Sequence, residues 1–146
     1  MEEFDQVDIL LVEDNALDAE LTMRGLTDQK LANTITWVKD GEEALDYVFR
    51  RGAYANRKDP GPRLILLDLK MPRVGGIEVT RAIKGDERTK RIPIVIMTSS
   101  KEESDVIDSY NLGANSYIVK PLDFEALAEV ARHAGYYWLA INRPPL

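Results

Sequence analysis

The sequence predicts an α/β fold, a doubly wound sheet of five parallel strands with five helices. Three observations carry this. Short apolar runs alternate strictly with longer stretches of helical periodicity, the pattern of successive βα units. Ile9-Leu10-Leu11-Val12, Leu64-Ile65-Leu66-Leu67 and the run from Ile92 to Met97 are almost continuously apolar, as strands covered on both faces must be. The first and second of these runs end in acids, Glu13-Asp14 and Asp68. That delivers carboxylates to the carboxyl edge of the sheet, where open α/β folds bind ligands.

The strands are expected at Val7 to Val12, Thr34 to Val38, Leu64 to Leu67, Ile92 to Met97 and Ser116 to Val119. The second alternates polar and apolar residues, so it belongs nearer an edge than the others. The helix from about Ala16 to Thr27 carries Leu17, Leu21 and Leu26 at helical spacing. Asp40-Gly41-Glu42-Glu43 and Ser100-Lys101-Glu102-Glu103 each set a capping residue three positions before a Glu, starting the second and fourth helices. The third helix spans about Gly76 to Gly85, with Val79, Ala82 and Ile83 facing inward. The last follows Pro121, with Asp123 as its cap, and runs to about Ile141, ahead of Pro144-Pro145, which cannot continue it. Right-handed crossovers leave few topologies for such a chain. The one long irregular stretch is Gly52 to Arg63.

With 146 residues and 45% hydrophobic content, the chain suits one compact domain over 1–146, with its core from about 7 to 141 and no output domain. A net charge of −6 gives no electrostatic footprint for nucleic acid or an acidic membrane. Arg50-Arg51 and Arg57-Lys58 read as a solvated loop. The absence of cysteine excludes disulfides, thiol redox chemistry and thiolate metal sites. The N-terminus, Met1-Glu2-Glu3-Phe4-Asp5, is acidic and unlike a secretory signal. No apolar run approaches the ~20 residues that span a bilayer. A soluble, cytoplasmic protein is expected, with no nucleic-acid or membrane partner.

Four chemical pieces fall at strand ends: Glu13-Asp14, Asp68, Thr98-Ser99 and Lys120-Pro121. In a parallel sheet they share one edge. Carboxylate oxygens together with waters suit Mg²⁺, a lysine suits a phosphate oxygen, and a threonine hydroxyl adds a directional hydrogen bond. Such a set can hold a transferring phosphoryl group, where catalysis is mostly positioning and charge neutralisation. There is no glycine-rich phosphate loop; Gly75-Gly76 follows Asp68 too late for one. A lone Asp at Asp68 would usually be a turn or capping acid; four pieces in register argue otherwise.

Leu11-Val12-Glu13-Asp14-Asn15, Leu66-Leu67-Asp68-Leu69-Lys70-Met71-Pro72, Met97-Thr98-Ser99-Ser100 and Tyr117-Ile118-Val119-Lys120-Pro121 together resemble the receiver domain of two-component response regulators, over nearly the whole chain. The resemblance implies a flavodoxin-like strand order of 2-1-3-4-5 and a set of roles. Asp68 is then the phosphoacceptor. Mg²⁺ is held by Asp14 and Asp68 directly, by Glu13 through water, and by the backbone carbonyl of Lys70. Thr98 is the switch hydroxyl, Lys120 pairs with the phosphoryl group, Tyr117 turns inward with Thr98, and the Lys120–Pro121 bond is cis. The donor is a sensor histidine kinase. The domain catalyses its own phosphoryl transfer and dephosphorylation, with no separate substrate.

The segment from Tyr47 to Asn56, the long loop after it, and His133-Ala134-Gly135-Tyr136-Tyr137-Trp138-Leu139 are similar to stand-alone response regulators of phytochrome kinases. That likeness implies a phytochrome-type kinase, a downstream protein or phosphotransfer partner, and a homodimer through the last strand and helix. Two positions depart from the commoner pattern: Lys70, two after Asp68, and Ser100, two after Thr98. Both border the phosphoryl site, so phosphoryl lifetime does not carry over from the family. His133, the only histidine, lies far from the acids and is a packing or surface residue. Tyr136 to Leu139 run nearly around their helix, which leaves some exposed as a partner surface unless the Gly52–Arg63 loop covers them. The alternative reading is a Mg²⁺-dependent phosphohydrolase with Asp68 as nucleophile. It lacks a second acid two residues on, where Lys70 stands, and a cap segment.

Overall fold

A computed structural model describes residues 8–28, 32 and 34–143. Five strands, β1 (Ile9–Val12), β2 (Ile35–Val38), β3 (Leu64–Leu67), β4 (Ile94–Thr98) and β5 (Ser116–Val119), form one parallel sheet in the order β2-β1-β3-β4-β5. Five helices alternate with them: α1 (Ala16–Thr27), α2 (Gly41–Phe49), α3 (Gly76–Lys84), α4 (Glu103–Asn111) and α5 (Phe124–Gly135). Among the described residues no helix is long and apolar enough to cross a membrane.

The period-2 alternation of the strands divides the core into two layers. Leu10, Val12, Ile65, Leu67, Ile94 and Ile96 face the side covered by α2 and α3, where Val48, Val79 and Ile83 meet them. Ile9, Leu11, Leu64, Leu66, Val95 and Met97 face α1 and α5, meeting Leu26, Leu127 and Ala131. The central strands β1, β3 and β4 are buried throughout, whereas β2 and β5 at the edges are half-exposed. That is why only the inner three read as unbroken apolar runs.

Several expectations shift. Val7, the acidic N-terminal residues and Pro144-Pro145 lie outside the described residues. The fourth strand begins after Pro93 and runs through Thr98, so Thr98 is the last strand residue rather than the first loop residue. Its carbonyl accepts from Lys120 N at 2.8 Å. Leu17 is exposed although Leu21, one turn on, is buried: the buried stripe of α1 runs through Ala19, Leu21, Thr22, Gly25 and Leu26, and Leu17 lies at its edge in the first turn. The Asp40 cap forms, accepting from Glu43 N at 2.8 Å. The Ser100 cap does not: α4 starts at Glu103, with no side-chain cap, and Ser100 Oγ is engaged elsewhere. The last α-helix ends at Gly135 and continues as a π-helical turn over Tyr136–Ile141. The wider turn rephases that segment. Trp138 and Leu139 pack against the inner layer, while Tyr136 and Tyr137 stay exposed.

Of the basic residues read as a solvated loop, Arg50, Arg51 and Lys58 are exposed, but Arg57 turns inward and helps to order the Gly52–Arg63 stretch. The Arg57 side chain is 9% exposed and forms an ion pair with Asp59 at 2.5 Å. It lies 4.4 Å over the Tyr47 ring and donates to Tyr47 O at 3.0 Å. Arg50, left-handed at φ 56° as the C-cap of α2, donates to Asp59 O. Tyr54 stacks edge-on against Tyr47 at 5.0 Å. The loop covers the outer end of α2 rather than the aromatic tail. It meets that tail where Arg63 donates to Leu139 O at 2.9 Å.

Helices α1 and α5 pack backbone to backbone at Gly25, where an added Cβ would sit 2.0 Å from Ala128 O. No rotamer change relieves a clash with a carbonyl. Gly25→Ala should therefore cost about 1–3 kcal/mol, read as a fall in Tm of a few degrees in thermal unfolding. In urea unfolding, Asp59→Ala, which strands the buried Arg57, should cost roughly 3 kcal/mol. Glu20→Ala, which breaks the exposed Arg24–Glu20 pair at 3.8 Å, should change stability by under ~0.5 kcal/mol.

Candidate phosphoryl and metal site

Parallel register builds the site. Val12 aligns with Leu67 across β1 and β3, and Thr98 with Val119 across β4 and β5. The residues after these positions, Glu13, Asp68 and Lys120, therefore leave the sheet at one edge. Asp68 N donates to Val12 O at 3.0 Å and Glu13 N to Val38 O at 3.1 Å, so both acids are fixed to neighbouring strands before their side chains begin. Gly76 has the role of letting α3 approach this edge: an added Cβ there would lie 2.3 Å from Asp68 O.

Lys120 crosses to these acids. Its Nζ bonds Glu13 Oε1 and lies 3.0 Å from both Asp68 Oδ2 and Asp18 Oδ2. The Lys120, Glu13 and Asp68 side chains are 7%, 3% and 8% exposed. A charged group in such a place is tolerated only when paired, and here one ammonium serves three carboxylates. Asp68 Oδ1 also accepts from Leu69 N at 2.7 Å and Lys70 N at 3.4 Å, and Glu13 Oε2 from Asn15 N at 3.2 Å. Burial pushes the Glu13 carboxyl up to about 7, against the pull of Lys120 and with a further push from Asp68. Burial works against the Lys120 ammonium too, but its bonds and the charges of Glu13 and Asp68 outweigh it and hold its pKa above the ordinary lysine value.

Glu13, Asp14 and Asp68 each place a carboxylate oxygen within 4.8 Å of the others. Asp14 is the exposed member. An all-oxygen set of this kind fits a hard divalent cation.

Thr98 is fully buried, and its hydroxyl accepts from Ser100 N at 3.4 Å. Tyr117 packs against the α2–α3 layer, and its hydroxyl donates to Ser100 O at 3.0 Å. Both switch candidates therefore converge on Ser100. The Lys70 ammonium pairs with Asp105 of α4 at 3.2 Å. The Lys120–Pro121 bond is trans, contrary to the expectation of a cis bond. The trans form is the intrinsically favoured one, and with it Lys120 already reaches all three acids. Two participants carry no signal of their own in the sequence. Asp18 lies in the first turn of α1, which starts at the carboxyl edge. Asp105 is one of several acids at the start of α4. His133 is exposed and pairs with Glu129 at 3.0 Å, far in sequence and structure from the site.

A family model described as the response regulator receiver domain matches residues 9–132. "Probable methanogenesis regulatory protein FilR2" of Methanothrix harundinacea is 41% identical over 138 residues, 94% of this chain and 86% of that protein. Response regulator Rcp1 of Synechocystis sp. is 37% identical over 131 residues, 90% of this chain and 88% of its own. The crystal structure of the Mn²⁺-bound form of Rcp1 superposes with a TM-score of 0.88 at 36% identity, covering 96% of this chain and 99% of that one. The crystal structure of the phosphorylated cyanobacterial phytochrome response regulator RcpA does so with a TM-score of 0.90 at 37% identity, covering 97% of this chain and 100% of that one. Sequence, sheet order and the acid–lysine edge agree: this chain belongs to the response regulator receiver domain family, whose members are signalling phosphoacceptors.

Proposed function

We propose that this chain is a phosphorylation switch with Asp68 as the acceptor, charged by a sensor histidine kinase. The observation that carries it is the buried meeting of Lys120 with Asp68 and Glu13. The ammonium crosses from another strand to the Asp68 carboxylate, where it stands ready to answer the charge of a phosphoryl group on that residue. The likeness to RcpA, a cyanobacterial phytochrome response regulator, supports a phytochrome-type kinase as the donor.

In the transfer, an Asp68 carboxylate oxygen attacks phosphorus in line. The O–P bond forms as the P–N bond to the kinase imidazole breaks, and the electron pair returns to that nitrogen. Backbone N–H groups hold Asp68 in place, and Lys120 lies ready to offset the added charge. Mg²⁺ would be held by Asp14, Asp68 and the Lys70 carbonyl, with Glu13 through water; when bound it neutralises phosphoryl oxygens. Thr98 leaves Ser100 N–H for the phosphoryl group, and Tyr117 follows. Hydrolysis by water releases inorganic phosphate and restores Asp68, so the domain turns over its own phosphoryl group and no separate substrate.

Output passes through protein contact or phosphate relay in the cytoplasm. A homodimer through the last strand and helix is supported by the half-exposed edge strand β5 and by exposed Tyr136, Tyr137 and Ile141.

With acetyl phosphate and Mg²⁺, intact-protein mass should reveal one hydroxylamine-labile phosphoryl adduct on wild type, none on Asp68→Asn, and none with chelator. Phosphate release without any adduct would favour the phosphohydrolase instead. Lys120→Ala should form the adduct on the order of a hundredfold more slowly. Sedimentation velocity should detect a dimer with the beryllofluoride-bound protein; identical profiles for bound and free protein would remove phosphorylation as its trigger.

A further inference from the structure

Lys70 borders the site, but its side chain does not face it. Its backbone N–H points at Asp68 Oδ1 at 3.4 Å, yet its ammonium reaches the other way, to Asp105 Oδ2 at 3.2 Å. Asp105 sits in the first turn of α4. The same Oδ2 accepts from Ser100 Oγ at 2.6 Å, and Ser100 Oγ accepts in turn from Glu102 N at 3.3 Å. Ser100 is also where Thr98 and Tyr117 converge, at its N–H and its carbonyl. One polar chain therefore runs from the loop after β3, through Asp105 and Ser100, to both switch candidates.

Helix α4 has little else to hold its first turn. It lacks a side-chain N-cap. Its one buried residue is Ser109, whose hydroxyl is buried without a hydrogen-bond partner. By contrast, α3 buries Val79 and Ile83, and α5 buries Leu127 and Ala131. Ile107 and Tyr110 of α4 are about half exposed. Polar contacts at the first turn thus matter more for α4 than for any helix with an apolar anchor.

We propose that Lys70 is a charge-operated latch. Paired with Asp105 it fastens the first turn of α4, and a phosphoryl group on Asp68 draws its ammonium away and frees that turn. The Lys70 side chain is 62% exposed, and an exposed ion pair is weak enough to be exchanged for another partner. Phosphorylation of Asp68 turns a monoanion into a dianion beside the stem of Lys70, so the competing attraction grows while Asp105 stays as it was. When Lys70 leaves, Asp105 keeps Ser100 as its only side-chain partner, and the loop that holds Thr98 and Tyr117 loses its tie to the β3 side. Lys70 is a positioning residue in this account; it acts on α4 through Asp105.

The latch rests on Asp68 being the acceptor, and the test separates the two. Hydrogen exchange of the α4 amides is followed in wild type, Lys70→Gln, Lys70→Arg and Lys70→Gln/Asp105→Asn, each with and without beryllofluoride and Mg²⁺. The adduct formed with acetyl phosphate is weighed in parallel. In free protein, Lys70→Gln should speed α4 exchange about two- to fivefold, the range that an exposed ion pair converts to. Beryllofluoride should then add little in this variant, while it speeds α4 exchange in wild type and Lys70→Arg by a similar factor. The double variant should respond to beryllofluoride no more than Lys70→Gln does. If Lys70→Gln leaves free-state exchange unchanged, or responds to beryllofluoride as fully as wild type, the latch is overturned. If no variant takes up a phosphoryl group, the acceptor reading fails and the latch with it; an adduct with an unresponsive α4 sinks the latch alone.

Discussion

Everything at the carboxyl edge depends on one constraint: the Lys120 ammonium is out of water and must be answered by carboxylates. Glu13, Asp18 and Asp68 answer it, and they arrive from β1, α1 and β3, while Lys120 follows β5. β1 and α1 are consecutive in sequence, β1 and β3 are neighbours in the sheet but not in sequence, and β5 lies a strand beyond β3's neighbour β4. A slip of one residue in any strand would turn its terminal side chain to the other face, leaving an unpaired charge in the core. The ion cluster thus checks the register of the whole sheet, and the apolar alternation of the strands enforces the same register from below. Function and fold specification share one set of atoms.

The cluster also explains how the site is poised. Three carboxylates around one ammonium leave an excess of negative charge, and burial has already raised Glu13 to about 7. A divalent cation held by Glu13, Asp14 and Asp68 would relieve that excess, and Lys120 already relieves it at depth. Transition-state charge on a transferring phosphoryl group then meets compensation already in place, which avoids reorganisation during the step.

Much of this was legible in the sequence. Unbroken apolar runs located three strands, two of them ending in acids, and the parallel arrangement put Glu13, Asp14, Asp68 and Lys120 on one edge. Helix starts were legible where a cap acts locally, as at Asp40, and illegible where tertiary contacts compete, as at Ser100, whose hydroxyl goes to Asp105 instead. Leu17 misled because helical spacing identifies a stripe without saying where it is centred. The Arg57 loop misled for a different reason: clustered arginines usually mean solvent, and only the positions of Asp59 and the Tyr47 ring make burial tolerable. Asp18 and Asp105 show the limit most clearly, since an acid on a helix acquires a role only from what faces it across space.

The close approach of α1 and α5 at Gly25 bears on how the domain comes into being. These helices carry one whole layer of the core, yet they are the first and the last of the five. Contacts between distant parts of a chain are slow to form, because the intervening loop must be closed before they repay its entropy. During synthesis, β1, β3 and α1 would emerge with one apolar face bare until α5 follows. Lys120 arrives just before α5, so the acid cluster and the missing layer are completed by the same late segment. The nascent protein gains its core and its charge compensation together, from the same final stretch of chain.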